Sequence, residues 1–70
     1  MRETPEILAS HLIDCHDTEG RPVRVGAGAT NDGRVILLMP AAGTPQLNQD
    51  QALAFGQCVR RAISDAATQQ

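Results

Sequence analysis

The stretch "RPVRVGAGATNDGRVILLMP", Arg21 to Pro40, decides the fold. Its first half alternates, with Val23, Val25, Ala27 and Ala29 on one face of a strand and Arg24, Gly26 and Gly28 on the other. Asn31-Asp32-Gly33 then supplies residues that tolerate a positive φ, and the apolar segment "RVILLMP" follows. This order predicts a β-hairpin.

The length of the hairpin loop decides which face each residue of the last strand occupies. A two-residue loop at Asp32-Gly33 places Ile36 and Leu38 with the valines and alanines, and it leaves Leu37 and Met39 beside Gly26 and Gly28. A three-residue loop exchanges the two sets. In either case the last strand carries apolar side chains on both faces, and one helix can cover only one of them.

That helix is the clearest element downstream. Asn48 is a favoured N-cap, Gln51 stands where a capping-box partner belongs, and Asp50 suits the positive end of the helix dipole. An apolar stripe at helical spacing follows, formed by Ala52, Phe55, Gly56, Val59, Ala62, Ile63 and Ala66. Gly56 costs about 1 kcal/mol relative to Ala in mid-helix, and this predicts that the helix approaches the sheet closely there.

The N-terminal segment "ASHLIDCHDTEGRPV" has two possible periodicities. Leu8, Ala9, Leu12 and Ile13 also fit a helical stripe, so residues 5–14 are open between helix and strand. We expect a short helical turn near Thr4 to Leu8, then a strand from about Ser10 to His16 that turns at Thr18-Glu19-Gly20. The sequence therefore predicts a single α+β domain over residues 1–70. It would be a three-stranded antiparallel meander with one C-terminal amphipathic helix packed on one face (βββα).

The size and charge of the chain limit the classes of function that it can have. A chain of 70 residues has a marginal core, and chains of this size gain stability from disulfides, metals or self-association. The net charge is −2, the six basic residues are scattered arginines, and this disfavours nucleic-acid binding. No apolar run approaches the roughly 20 residues of a membrane span, and the N-terminus lacks the apolar core of a signal peptide. We expect a cytoplasmic protein with reduced thiols.

Residues that could carry chemistry form no recognisable site. His11, Cys15, His16 and Cys58 match no zinc-finger spacing, and a strand would place His16 on the face opposite His11 and Cys15. The same alternation separates neighbours in "DCHD", Asp14 to Asp17, so a nucleophilic constellation is disfavoured. The glycine-rich "VGAGATNDG" lacks the GxxxxGK[ST] pattern of a phosphate loop. We expect no enzyme activity, no cofactor and no metal.

The doubly apolar last strand points to an interaction module. We expect a homo-oligomer, a dimer first, whose interface draws on Gly26, Gly28, Ile36, Leu37, Leu38 and Met39, with another protein as a possible partner. With a two-residue turn the contacting set would be Gly26, Gly28, Leu37 and Met39. The alternative is a dimeric nucleic-acid-associated regulator, in which two copies gather Arg21, Arg24 and Arg34. An RNA-binding sheet normally displays stacking rings, and this sheet has none.

The string "EGRPVRVGAG…DGRVILLMPAAG…LNQDQALAFGQCVRRAI", Glu19 to Ile63, resembles small uncharacterised sheet-plus-helix proteins of high-GC actinobacteria and their bacteriophages. The shared theme is a "DGRPVRV" hairpin, a "VxLxxP" strand and a polar opening to an amphipathic helix. The resemblance implies a compact fold and a role in a bacterium or phage, such as an accessory protein that binds a host protein. It carries no catalytic residues to transfer.

Overall fold

A computed structural model describes residues 6–68. Its elements are β1 (Ile7–Asp17), β2 (Pro22–Thr30), β3 (Val35–Leu38), β4 (Pro45–Gln46) and α1 (Gln49–Ala67). The strands form one antiparallel sheet in the order β3-β2-β1-β4, and α1 packs on one of its faces. The predicted α+β class, with a three-stranded meander and a C-terminal helix, is confirmed; β4 adds a short fourth strand beside β1.

β1 is longer than the sequence indicates. Ile7 pairs with Thr30 and Ala9 with Ala29, with an irregularity between them at Leu8. The prediction of a helical turn near Thr4 to Leu8 is therefore wrong at Ile7 and Leu8, and Thr4 lies outside the described residues. The reason is non-local: backbone pairing with β2 outweighs the weak helix-start signal of this segment.

The β2–β3 hairpin closes with a three-residue loop. The Thr30 N–H donates to the Arg34 carbonyl (2.9 Å), the Gly33 N–H donates to the Thr30 carbonyl (3.2 Å), and Gly33 has a φ of 84°. The Arg34 N–H also donates to Thr30 Oγ1 (3.1 Å), so the threonine side chain stabilises this closure. A three-residue loop with a glycine in the left-handed region is a common hairpin connection.

The two-residue turn is consequently wrong, and its register with it. Gly28 lies opposite Ile36 and Gly26 opposite Leu38, whereas Ala29 lies opposite Val35 and Ala27 opposite Leu37. Leu37 and Met39 therefore do not lie beside the glycines. Directly opposed residues share a face, so Val35 and Leu37 are on the helix side of the sheet and Ile36 and Leu38 are on the outer side.

The backbone of β1 approaches β2 closely at the two glycines. A Cβ at Gly26 would lie 2.0 Å from the His11 carbonyl oxygen, and one at Gly28 would lie 2.7 Å from that of Ala9. Both glycines are buried. Glycine is required at these positions because a neighbouring backbone fills the space of a side chain.

The helix begins as the sequence predicts. The Gln51 N–H donates to Asn48 Oδ1 (2.8 Å) and the Asn48 N–H donates to Gln51 Oε1 (2.9 Å), which together form a capping box. Gln51 Nε2 also donates to the Asp14 carbonyl at 3.2 Å. One side chain thus caps α1 and anchors its first turn to β1.

The buried face of the helix is rotated from the predicted stripe. Its buried residues are Cys58, Ala62 and Ala66, whereas Ile63 is exposed. Gly56 is exposed, and nothing lies within 4 Å of where its Cβ would be, so the predicted close approach at Gly56 is wrong. Cys58 and Ala62 join Ala27 in the core, with Ile13 and Val59 packed against them.

The two glycine environments yield a matched pair of predictions. Gly26→Ala should destabilise the fold by at least about 2 kcal/mol, because a methyl group there overlaps the β1 backbone. Gly56→Ala should stabilise it by about 1 kcal/mol, because an exposed helical site gains helix propensity without a clash. Urea denaturation at one fixed protein concentration measures both. Equal effects of the two substitutions would contradict the close approach at Gly26.

Asp17 organises the turn between β1 and β2. Its buried carboxylate accepts hydrogen bonds from the backbone N–H groups of Glu19 and Arg21 (both 2.9 Å) and from Arg21 Nε (3.0 Å). The Arg21 backbone N–H is the main reason that the pKa of Asp17 lies below its ordinary value, and burial acts in the opposite direction. The ionised carboxylate therefore holds the turn together.

A lowered pKa in the folded state makes stability depend on pH. The contribution of Asp17 is fully present above the unfolded pKa of about 3.9 and is lost as the pH falls through the lower folded value. Asp17→Asn should therefore destabilise the protein at neutral pH, and the difference from wild type should shrink below about pH 4. Thermal or urea unfolding of both proteins between neutral and acidic pH tests this. A difference that does not change with pH would show that the carboxylate charge has no role.

Candidate functional site

Large and small apolar side chains occupy unexpected places in this fold. The buried apolar residues are small or medium-sized, namely Cys15, Val25, Ala27, Ala29, Cys58, Ala62 and Ala66. The exposed large apolar residues within residues 6–68 are Ile7, Leu8, Leu12, Val35, Leu37, Met39, Leu53 and Ile63. Soluble monomers rarely leave contiguous apolar side chains in water, so the arrangement of this second set is informative.

One group of exposed residues runs along β3, with Val35 and Leu37 on the helix side and Met39 directly after the strand. The side chains of Val35, Leu37 and Met39 are 38%, 56% and 49% exposed. They are uncovered because α1 packs mainly on β1 and β2 and has few contacts with β3. We call Val35, Leu37 and Met39 the β3 strip.

The helix borders this strip with an apolar flank. On the opposite flank, Asp65 Oδ2 lies 3.5 Å from His11 Nε2 of β1, so that side of the helix faces β1. Val59 and Ile63 lie more than 100° around the helix from Asp65, given 100° per residue, and therefore on the side toward β3. Val59 packs against the core, whereas Ile63 is 55% exposed.

A second apolar group lies on the outer face. Leu12 and Leu38 lie on either side of Gly26, while Ser10 and Ile36 lie on either side of Gly28. Leu12 is exposed, but Ile36 and Leu38 are partly buried and the glycines are fully buried. The outer face is therefore partly covered by its own side chains.

The predicted interface residues thus fall into three environments. Gly26 and Gly28 contact the β1 backbone and offer little surface to a partner. Ile36 and Leu38 lie on the outer face, and Leu37 lies on the helix side in the β3 strip, with Met39 directly after it. Residues 36 to 39 nevertheless all lie at one edge of the sheet, because β3 is an edge strand.

Sequence reasoning missed Leu8, Leu12 and Ile63 as exposed residues. Leu8 was hidden by the mixed periodicity of residues 5–14. The predicted strand from about Ser10 to His16 already contained Leu12, and alternation along it places Leu12 on the face opposite His11. Ile63 belongs to the apolar stripe by spacing, and only the rotation of α1 on the sheet leaves it in water. The spacing of the stripe contains no signal of that rotation.

The candidate chemical residues do not converge. His11 and Cys15 lie on the helix side of β1 and His16 on the outer side, as strand alternation predicts. Cys15 and Cys58 are buried free thiols. Across residues 6–68, no three side chains among His, Cys, Asp and Glu are placed to hold a metal ion. A cavity of about 420 Å³ near Asp14, Cys15 and His16 is open to solvent.

The three arginines proposed to contact nucleic acid are paired with carboxylates of their own hairpins. The Arg21 guanidinium places Nε 3.0 Å from Asp17 Oδ2 and Nη2 2.7 Å from Glu19 Oε2. Arg24 Nε lies 3.0 Å from Asp14 Oδ1, and Arg34 Nε lies 3.5 Å from Asp32 Oδ2. The Arg24 and Arg34 pairs are exposed and contribute little to stability, whereas the Asp17 carboxylate is buried. All of these pairs reduce the positive potential available for phosphates.

Comparisons with protein-family models, curated proteins and solved structures gave no match. The resemblance to proteins of actinobacteria and their phages therefore stays a prediction. No helix within residues 6–68 is long and apolar enough to cross a membrane. The feature of this chain that most strongly suggests a function is the exposed apolar edge formed by β3.

Proposed function

We propose that this protein is a non-enzymatic interaction module that self-associates as a homodimer through β3. The proposal rests on one observation: small apolar side chains form the core, whereas larger apolar side chains lie exposed at the edge of the sheet. Alanine, cysteine and valine form the core, while Leu37 on the edge strand and Met39 directly after it are about half exposed, because α1 has few contacts with β3. A surface of this kind is typical of a protein-binding site.

The energies favour a weak dimer. Full burial of a Val, Leu or Met side chain is worth about 1.5–3 kcal/mol, so covering the exposed half of each residue of the β3 strip contributes about 1 kcal/mol. A symmetric dimer counts this contribution in both copies, for a total of about 6 kcal/mol. Association itself costs at least about 4 kcal/mol, so the β3 strip alone leaves a net gain of about 2 kcal/mol. A dissociation constant between about 1 mM and 1 µM requires about 4–8 kcal/mol, and backbone hydrogen bonds between the copies, each worth about 0.5–1.5 kcal/mol, are the contacts available to supply the difference.

A second copy of the same chain is the partner that we propose for the β3 edge. A domain of 70 residues buries a smaller fraction of its surface than a larger domain does, and self-association buries more of it without a cofactor or a disulfide. The net charge of −2 per copy is small, and residues 35–39 of the edge carry no charge that would repel an identical edge. Two-fold dimers are also the commonest symmetric assemblies.

The proposed compartment is the cytoplasm. Cys15 and Cys58 are the chain's two cysteines, and both are unpaired thiols. Small domains of oxidising compartments usually use such cysteines as cross-links. The absence of a convergent Cys, His and carboxylate cluster in residues 6–68 is the basis for proposing a non-catalytic role.

Sedimentation velocity tests self-association directly. Wild-type protein should sediment faster as its concentration rises from about 10 µM to about 1 mM. Leu37→Glu should remain monomeric over this range, because a carboxylate would have to be desolvated in the strip. Circular dichroism should show that the variant is folded, since Leu37 is 56% exposed in the single chain.

Leu53→Glu is the matched control. Leu53 is 67% exposed and lies on the helix side that points away from the sheet, opposite Ala62. The same change of charge there should leave dimerisation as in wild type. The proposal is contradicted if wild-type protein is a monomer at every concentration, or if Leu37→Glu dimerises as wild type does.

A further inference from the structure

We infer that the dimer forms by antiparallel pairing of β3 with β3 of a second copy. The two four-stranded sheets then become one continuous sheet, with both helices on the same face. The inference rests on the proposed homodimer and specifies its geometry. It is carried by the backbone of the edge strand, by its residue pattern and by the contrast between the two edges of the sheet.

The two edges of the sheet differ in how they are protected. At the β1 edge, β4 pairs with His16 and Asp17 and Gln51 Nε2 donates to the Asp14 carbonyl, which protects the C-terminal end of this strand. Its N-terminal part has no such partner within the described chain, but a register irregularity at Leu8 interrupts it. At the β3 edge, no strand or side chain bonds the outward backbone of residues 35–38 within the described chain. Proteins usually protect a free edge with charges, prolines or bulges, and residues 35–39 contain neither a charged residue nor a proline.

The hairpin determines which backbone groups face the open edge. Thr30 and Arg34 form a hydrogen-bonded pair at the loop. Hydrogen-bonded and non-hydrogen-bonded pairs alternate along an antiparallel ladder, so the next hydrogen-bonded pairs are those of Ile36 and Leu38. These two residues direct their N–H and C=O groups toward β2. Val35 and Leu37 therefore direct theirs away from the sheet. Another strand is the partner that satisfies donors and acceptors at this spacing.

The residue pattern selects one register. If the two-fold axis passes through Leu37, each Leu37 lies opposite its copy, Val35 lies opposite Met39, and Ile36 lies opposite Leu38. Every pair is then apolar on both faces of the new sheet. A shift of the axis to Ile36 would place Leu38 opposite Arg34, which makes that register less favourable. The Leu37-centred register also forms hydrogen-bonded pairs through the outward groups of Val35 and Leu37.

The position of α1 is compatible with this pairing. The helix packs mainly on β1 and β2, so it does not obstruct the β3 edge on the helix side. Pairing brings the β3 strips of both copies together, and the flank with Val59 and Ile63 borders the combined strip on each side. The off-centre helix thus leaves room for the second copy.

Residue-resolved amide hydrogen exchange tests the geometry. The Val35 and Leu37 amides should exchange rapidly at concentrations where sedimentation shows monomer. They should slow about tenfold when nine-tenths of the protein is dimeric, because exchange then occurs from the monomer. The Ile36 and Leu38 amides, which face β2, are internal controls and should be protected at both concentrations. A dimer in which Val35 and Leu37 exchange as rapidly as in the monomer would overturn edge pairing while leaving self-association intact.

Disulfide trapping provides a second test on the folded protein. Opposed residues of a hydrogen-bonded strand pair have Cα atoms about 5.5 Å apart, which suits a disulfide. Leu37→Cys should therefore form a covalent dimer under mild oxidation, and peptide mapping should locate the bond at position 37 in both copies. Leu12→Cys, on the outer face, is the control and should remain largely monomeric on a denaturing gel. Efficient linkage at position 12 with none at position 37 would instead indicate stacking of the outer faces and overturn the inference.

Discussion

The close approach of the β1 backbone to Gly26 and Gly28 is the constraint on which the rest of the structure depends. β2 is the central strand of the meander, and at its two glycines the β1 backbone occupies the space that a Cβ would need. On its other side, the Thr30–Arg34 closure sets the pairing with β3. Because side chains alternate with a period of two, these two contacts together determine which face every residue of the sheet occupies.

A core of small side chains follows from this geometry. Ala27 on β2 packs against Cys58 and Ala62 on α1, and within residues 6–68 Val25 is the largest side chain with almost no exposed surface. Such a core provides little apolar burial, while the larger residues lie on β3 and on the outer face. In a single chain these residues contribute little to stability. In the proposed dimer they would be partly covered, so the apparent stability should depend on protein concentration.

Local signals predicted their structures well, and non-local contacts overruled the weaker ones. Asn48 and Gln51 form the expected capping box because their bonds involve residues only three positions apart. The helix-start signal near Thr4 failed at Ile7 and Leu8, where β2 pairs with the chain. The expectation for Gly56 failed because helical spacing defines an apolar stripe but not its rotation on the sheet. Strand alternation alone was sufficient to predict that His11 and His16 lie on opposite faces of β1.

The sequence by itself determined the α+β class, the order of the three main strands and the helix, and the start of the helix, since periodicity and capping are properties of neighbouring residues. It also limited the last strand to two registers. The tertiary structure decided between them, because the closure involves the backbone and side chain of Thr30 as well as the loop residues. Only the packed structure could show that α1 lies over β1 and β2 and leaves Leu37 exposed at an open edge, since that position depends on small residues brought together from three elements.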